Sequence, residues 1–286
     1  MKKIIILLCL ACTVVYAQKE DDGGGSRGPK GEPSTSNLAI NGPVTPRGGG
    51  DSYATGFEGS EGFTPGFLGT QGGWSTFLVS TAQPVITNAN ANGGTQALRI
   101  DVDGSIGAGN LTGGFAPLTT PTDPIAPTRC SVNVFISGTG GADYDVAPQA
   151  PSQGFLTARV NFRFTGPIRV LDGGSFVDTG VTWPVNQWFN LTIDCDPAAP
   201  RLDYYIDGSL IYTANALVGG TTMEQVVLIS DNFHFGDVGD FDDLEFGPPV
   251  LVTIPTLSQW GLIGFLALML CVSFVFIRKQ QKVEAV

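Results

Sequence analysis

Asp240, Asp242 and Glu245 stand in the order Asp-x-Asp-x-x-Glu near the end of the chain's long region of alternating apolar residues. On a bulged strand this spacing puts two of the three carboxylates on one face. A retaining glycosidase uses such a pair, one as nucleophile and one as acid, about 5 Å apart. Carboxylates also suit calcium, which takes several hard oxygen ligands, and Glu58, Asp242 and Asp243 are the candidate ligands for a structural calcium ion. Sugar binding asks for aromatic rings with polar neighbours. Trp183, Trp188, Tyr204 and Tyr205 are the candidate rings, with Trp188 and Tyr204 read onto the polar side of their strands. His234, between two phenylalanines, is the only histidine. No Cys/His set has zinc spacing, and neither Gly-x-Ser-x-Gly nor a phosphate-cradling loop occurs. The expectation is a protein that is not an enzyme, with a glycoside hydrolase acting through Asp240, Asp242 and Glu245 as the alternative.

The elements that must position these residues are strands. Charged residues make up 14% of the 286, and there are 39 glycines. Low charge with much Gly, Thr, Val and Phe points to an all-β domain rich in turns. Cys130, Val132, Val134 and Ile136 alternate with polar or outward residues. So do Phe189, Leu191, Ile193 and Cys195, and again Ala158, Val160, Phe162 and Phe164. A period of two means strands with one buried face. Asp207-Gly208-Ser209 between 201–206 and 210–213 signals a hairpin. Late strands are read at 225–230 and 241–246. A domain over 51–248 then implies two packed antiparallel sheets. Cys130 and Cys195 both fall on the apolar side of their strands. They either form a disulfide, if their Cα atoms come within about 7 Å, or remain two buried thiols.

The ends read differently. Lys2 and Lys3, the apolar run 4–10 and the small residues up to Ala17 make a secretory signal peptide over 1–17; a lipid on Cys12 is the lesser alternative. Residues 18–50 are rich in Gly and Pro and poor in large apolar groups, which is a disordered linker. Residues 249–259 form a second linker. Residues 260–277 hold 18 uncharged positions, enough to cross a bilayer as a helix. The basic tail 278–286 then stays in the cytoplasm. Between the two ends the exported part carries 10 basic and 25 acidic residues, a net of about −15. No basic cluster exists to neutralise phosphates, so nucleic acid is excluded as a partner.

Ile254-Pro255-Thr256-Leu257-Ser258-Gln259-Trp260-Gly261, followed by the apolar run and Arg278, Lys279 and Lys282, resembles the IPTL-CTERM sorting tail of Gram-negative bacteria. The resemblance covers about residues 254 to 282. It implies an exosortase-like membrane sorting protease as partner, and delivery to the cell surface or extracellular matrix. Pro255 keeps the segment extended and accessible to a protease.

The body is similar to concanavalin A-like and laminin-G-like jelly rolls. The residues that carry the likeness are Gly56-Phe57-Glu58-Gly59, Gly72-Gly73-Trp74, Trp188 to Leu191, Tyr204 to Gly208, and the closing run Gly239 to Phe246. A galactose-binding-type jelly roll is the rival fold. The likeness implies that the first and last strands pair, which would bring Glu58 to Asp242 and Asp243 around a structural calcium. In the β-glucanases of that fold the catalytic strand reads Glu-x-Asp-x-x-Glu and lies mid-chain; here the first acid is Asp and the motif ends the domain. The leading expectation is a surface module that binds polysaccharide or matrix. A passive matrix protein is a third possibility.

Overall fold

The structure is a computed structural model that describes residues 51–77, 80–233, 236–249, 265 and 267–271. The expected signal peptide, linker 18–50, His234 and sorting motif 254–261 lie outside the described residues, as does most of the span 260–277. The chain divides into two units, 1–249 and 250–286. In the second, Phe265 and residues 267–271 are helical, apolar and exposed. No helix among the described residues is long and apolar enough to cross a membrane.

The described residues of the first unit are all-β apart from two short 3-10 turns. Its strands run β1 (Tyr53–Thr55), β2 (Gly66–Phe67), β3 (Ser75–Thr76), β4 (Val85–Thr87), β5 (Ala97–Ile100), β6 (Thr112–Phe115), β7 (Thr128–Ile136), β8 (Tyr144–Ala150) and β9 (Phe155–Leu156). They continue as β10 (Val160–Phe162), β11 (Pro167–Asp172), β12 (Ser175–Thr182), β13 (Trp188–Asp196), β14 (Arg201–Ile206), β15 (Ser209–Thr213), β16 (Gln225–Ser230) and β17 (Gly239–Gly247). Two antiparallel sheets result, packed as a jelly-roll sandwich. One has nine strands in the order β15-β14-β13-β7-β17-β5-β4-β2, with β1 also on β17. The other has eight in the order β12-β11-β10-β8-β16-β6-β3, with β9 on β8.

Alternation explains the larger sheet. Along β7 and β13 every second residue is buried and the others are half-buried or exposed. Their inward rows meet the second sheet, and Phe189 packs edge-on to Phe162 with ring centroids 5.3 Å apart. Burying a Val, Leu, Ile or Phe side chain stabilises the fold by about 1.5–3 kcal/mol, so these rows fix both register and face. Tyr204 corrects the sequence reading. It shares the inward phase of Leu202 and Ile206 and is fully buried. Its hydroxyl donates to the Leu171 carbonyl at 3.0 Å and so ties one sheet to the other.

The smaller sheet is buried on both faces along β8 and β16. On its face away from the core, Asp145 accepts from Arg159 and from Asn161 Nδ2 at 2.6 Å. The Phe176 ring lies under both Arg159 and Arg169, 5.5 and 5.6 Å from centroid to guanidinium. Charges are buried here because they are paired and hydrogen-bonded.

Strand β17 organises the larger sheet. Gly239 to Phe241 pair with β5, and Leu244 to Phe246 pair with β1. Between them a bulge sets Asp243 at φ +48 and shifts the register against β7 by one residue. The first and last strands therefore do pair.

Candidate functional site: an aromatic–amide face beside an acid-anchored loop

The outward residues of β7, β13, β14 and β17 share one face. Trp188 lies opposite Phe135, Asn190 opposite Asn133, and Thr192 opposite both Ser131 and Tyr205. All seven are half-buried, so rings and polar groups alike reach the surface. Trp188 and Phe135 tilt together at 5.6 Å, and the Trp188 indole N–H donates to Asn90 Oδ1 at 3.2 Å. Asn190 Nδ2 donates to Ser131 Oγ and to Asn133 Oδ1 at 3.0 and 2.9 Å, and Thr192 Oγ1 donates to Asn190 Oδ1 at 2.8 Å. These bonds lock the side chains in a row. Trp188 and Thr192 are four residues apart on one strand, roughly 13 Å, so the rings of Trp188 and Tyr205 bracket a strip of amides and hydroxyls.

The four candidate rings are thus not one site. Trp188 and Tyr205 sit on this face. Tyr204 is in the core. Trp183 is 3% exposed and donates to the Arg163 carbonyl at 3.0 Å. It closes the end of the smaller sheet.

Beside the aromatic face the acids meet the loop between β4 and β5. Asp242 Oδ2 accepts from the backbone N–H of Asn92 and Gly93 at 2.8 and 3.0 Å, and its Oδ1 from the N–H of Asp243 at 2.8 Å. Asp243 accepts from Asn133 Nδ2 at 2.9 Å. Glu58 accepts from the Thr95 and Gln96 N–H and from the Thr95 hydroxyl at 2.7, 3.0 and 2.8 Å. Thr95 N–H above all holds the Glu58 carboxyl below its ordinary range. Burial pushes Asp242 the other way, up to about 6, although three N–H donors oppose it.

Glu58, Asp242 and Asp243 do come together, around Gly56. A side chain there would begin 3.4 Å from Asp243 Oδ1, 3.9 Å from Asp242 Oδ1 and 3.7 Å from Glu58 Cγ. The Glu58 oxygens themselves turn away to the loop, and among the described residues no three acids, thiols or imidazoles form a metal-holding group.

Asp240 is fully buried, with Arg99 bonded to both its oxygens at 2.6 and 2.8 Å and Asn90 Nδ2 at 2.8 Å. Burial lowers and the Asp240 bond raises the Arg99 pKa, and the hydrogen bond is the larger effect. Glu245 is exposed and lies in register with Ser131 on one side and Ala54 of β1 on the other. As nucleophile or proton donor, Asp240 and Asp242 would first have to give up these bonds.

Cys130 and Cys195 form no bridge; both are free and buried. Cys130 lies opposite Ile193, and Cys195 opposite Thr128. They are diagonal neighbours, at roughly 7–8 Å, beyond the usual disulfide span. Burial raises both thiols, Cys195 to about 12.

Three clusters had no signal in the sequence. Arg99–Asp240 and Asn90–Trp188 join residues 141 and 98 apart. In a third, Gln153 of the β8–β9 turn donates to the hydroxyls of Thr221 and Thr222 ahead of β16, and Thr222 donates to Glu224. No short spacing links such partners.

No family model matches the chain, and no curated protein matches it. Among solved structures, a "Sialidase" aligns at TM-score 0.49 and 9% identity, over 63% of this chain and 17% of that one. An endo-β-1,4-glucuronan lyase from the fungus Trichoderma reesei aligns at 0.45 and 10%, over 69% and 95% of the two chains. A "native glycosidic hydrolase" aligns at 0.46 and 10%, over 72% and 99%. All three scores are under 0.5, so the fold described above rests on its strand pairing.

Proposed function

We propose that this chain is exported, sorted to the bacterial surface through its C-terminal tail, and binds polysaccharide through the outer face of the nine-stranded sheet without acting as an enzyme. One observation carries the binding role. Half-exposed Trp188 and Tyr205 share that face, with Ser131, Asn133, Asn190 and Thr192 held in a fixed row between them. Rings stack on sugar faces, and amides and hydroxyls exchange hydrogen bonds with sugar hydroxyls. Side chains already locked lose little freedom on binding. The sorting role draws on the basic–apolar start, the 254–261 motif and the apolar run that follows it. The exposed, all-apolar helical residues 265 and 267–271 favour a lipid environment.

A calcium ion is a subsidiary proposal with one location. Asp242 Oδ1 and Asp243 Oδ1, which both approach Gly56, would hold it, with backbone carbonyls and water completing its shell.

The binding role is tested on a glycan array with the mature protein. We expect selective binding to a polysaccharide, weakened about tenfold or more by Trp188→Ala and by Tyr205→Ala, and unchanged by Phe67→Ala on another strand. Absence of any glycan ligand, or binding indifferent to both substitutions, refutes it.

A further inference from the structure

The turn after β8 and the segment ahead of β16 bring a nucleophile, a base, a carbonyl acceptor and an oxyanion donor together. Thr222 is 1% exposed and Glu224 4%. The Thr222 hydroxyl donates to Glu224 Oε1 at 2.8 Å. The Thr222 hydroxyl oxygen in turn accepts a hydrogen bond from Gln153 Nε2 at 3.1 Å, which brings the hydroxyl beside the amide group. Gln153 Oε1 accepts the Thr221 backbone N–H at 3.0 Å. Ser152 donates its N–H and its hydroxyl to Glu224, at 2.9 and 2.5 Å, and fixes the carboxylate in place. A hydroxyl against a carboxylate base, hydrogen-bonded to an amide whose oxygen faces a backbone N–H, assembles the groups that acyl transfer uses; attack needs only a turn of the Gln153 amide that brings Cδ to the hydroxyl.

We propose that Thr222 and Gln153 join in an internal ester crosslink. Glu224 takes the Thr222 hydroxyl proton, and Oγ1 bonds to Gln153 Cδ. The negative charge that develops on Oε1 is met by the Thr221 N–H. The intermediate collapses as the Cδ–Nε2 bond breaks. The nitrogen leaves with the proton that Glu224 had taken, as ammonia, and Glu224 ends as it began. No oxidant, metal or cofactor is consumed, and escape of ammonia into the surroundings draws the reaction forward. Thr222 is the nucleophile rather than Thr221 because it alone has a carboxylate partner; the Thr221 hydroxyl bonds to the Pro124 carbonyl and to Gln153. The crosslink is independent of any polysaccharide and goes beyond the binding role. It would close a covalent loop from 153 to 222 and pin β8 to β16, adjacent strands of the smaller sheet.

Intact-mass measurement of the full chain, exported by its host and purified from membranes, decides the matter. The ester predicts a mass lower by about 17 Da, one ammonia, than that of the processed sequence. Trypsin should give one species that joins the Gln153 peptide to the Thr222 peptide and falls apart in hydroxylamine. Thr222→Val and Glu224→Gln should each restore the full mass, whereas Thr222→Ser keeps the deficit. A wild-type protein at its full sequence mass, with the two peptides separate, overturns the proposal without bearing on glycan binding. A join mapped to Thr221 overturns the assignment of the nucleophile.

Discussion

Asp242 is the residue on which pH acts most directly. Burial raises its pKa to about 6, so the folded state holds the neutral acid more readily than the unfolded chain does. Its contribution is fully present below about pH 4 and is lost as pH rises through about 6. Glu58, with a lowered pKa, works in the opposite sense, losing its contribution only as pH falls below the ordinary carboxylate range. At pH 5 Glu58 contributes and Asp242 still does so in part. In chelator, the Tm of the wild type should exceed that of Asp242→Asn by more at pH 5 than at pH 7.5. A calcium ion between Asp242 and Asp243 favours the ionised carboxylate. Millimolar calcium should therefore raise the wild-type Tm at pH 7.5 and flatten the pH effect; a Tm that ignores calcium removes the ion from the account. At this scale the sequence was partly legible. The meeting of Glu58 with Asp242 and Asp243 followed from pairing the first strand with the last, and Trp188 followed from alternation. Tyr204 was misread because two tyrosines stand side by side and only one can share the phase of Leu202 and Ile206. The hold of Arg99 on Asp240 was invisible, since the two residues lie on strands joined only by the fold.

Among the elements, the β4–β5 loop depends on acids from the two ends of the domain's sequence, brought together by the pairing of β1 with β17. Gly94 has φ +61, and a side chain there would meet Glu58 Oε1 at 2.2 Å. Gly94→Ala should therefore cost about 1–2 kcal/mol for the left-handed backbone alone, more with Glu58 displaced, as read by urea denaturation. Glycan affinity should fall with it, because Asn90 of this loop supports Trp188. A loss of stability well under 1 kcal/mol would mean that the loop does not need Glu58. Strands β7 and β13 were readable because one face is buried and the other wet. Strand β8 was not. Both of its faces are buried, it carries Asp145 and Pro148, and its sequence shows no alternation. The bulge of β17 lies at Asp243, where residues of one type run together and nothing marks the extra residue.

At the scale of the whole molecule, the sandwich and the tail are separate units, and the proposed function gives each its own task. The full chain should fractionate with membranes, and a chain ending at residue 249 should be exported in soluble form. Truncated and full-length chains found in the same fraction would contradict the anchoring role. The two-sheet architecture was legible from strand periodicity and turn residues. The outer face proposed to bind was not, because only the register brings Trp188, Asn190 and Tyr205 side by side. The pairing of β17 with β7, β5 and β1 has a mechanical consequence. A sandwich tethered by its C-terminal side and dragged by fluid is loaded along its most heavily bonded strand. The bonds to three neighbours are then strained in shear and must break together rather than unzip one at a time.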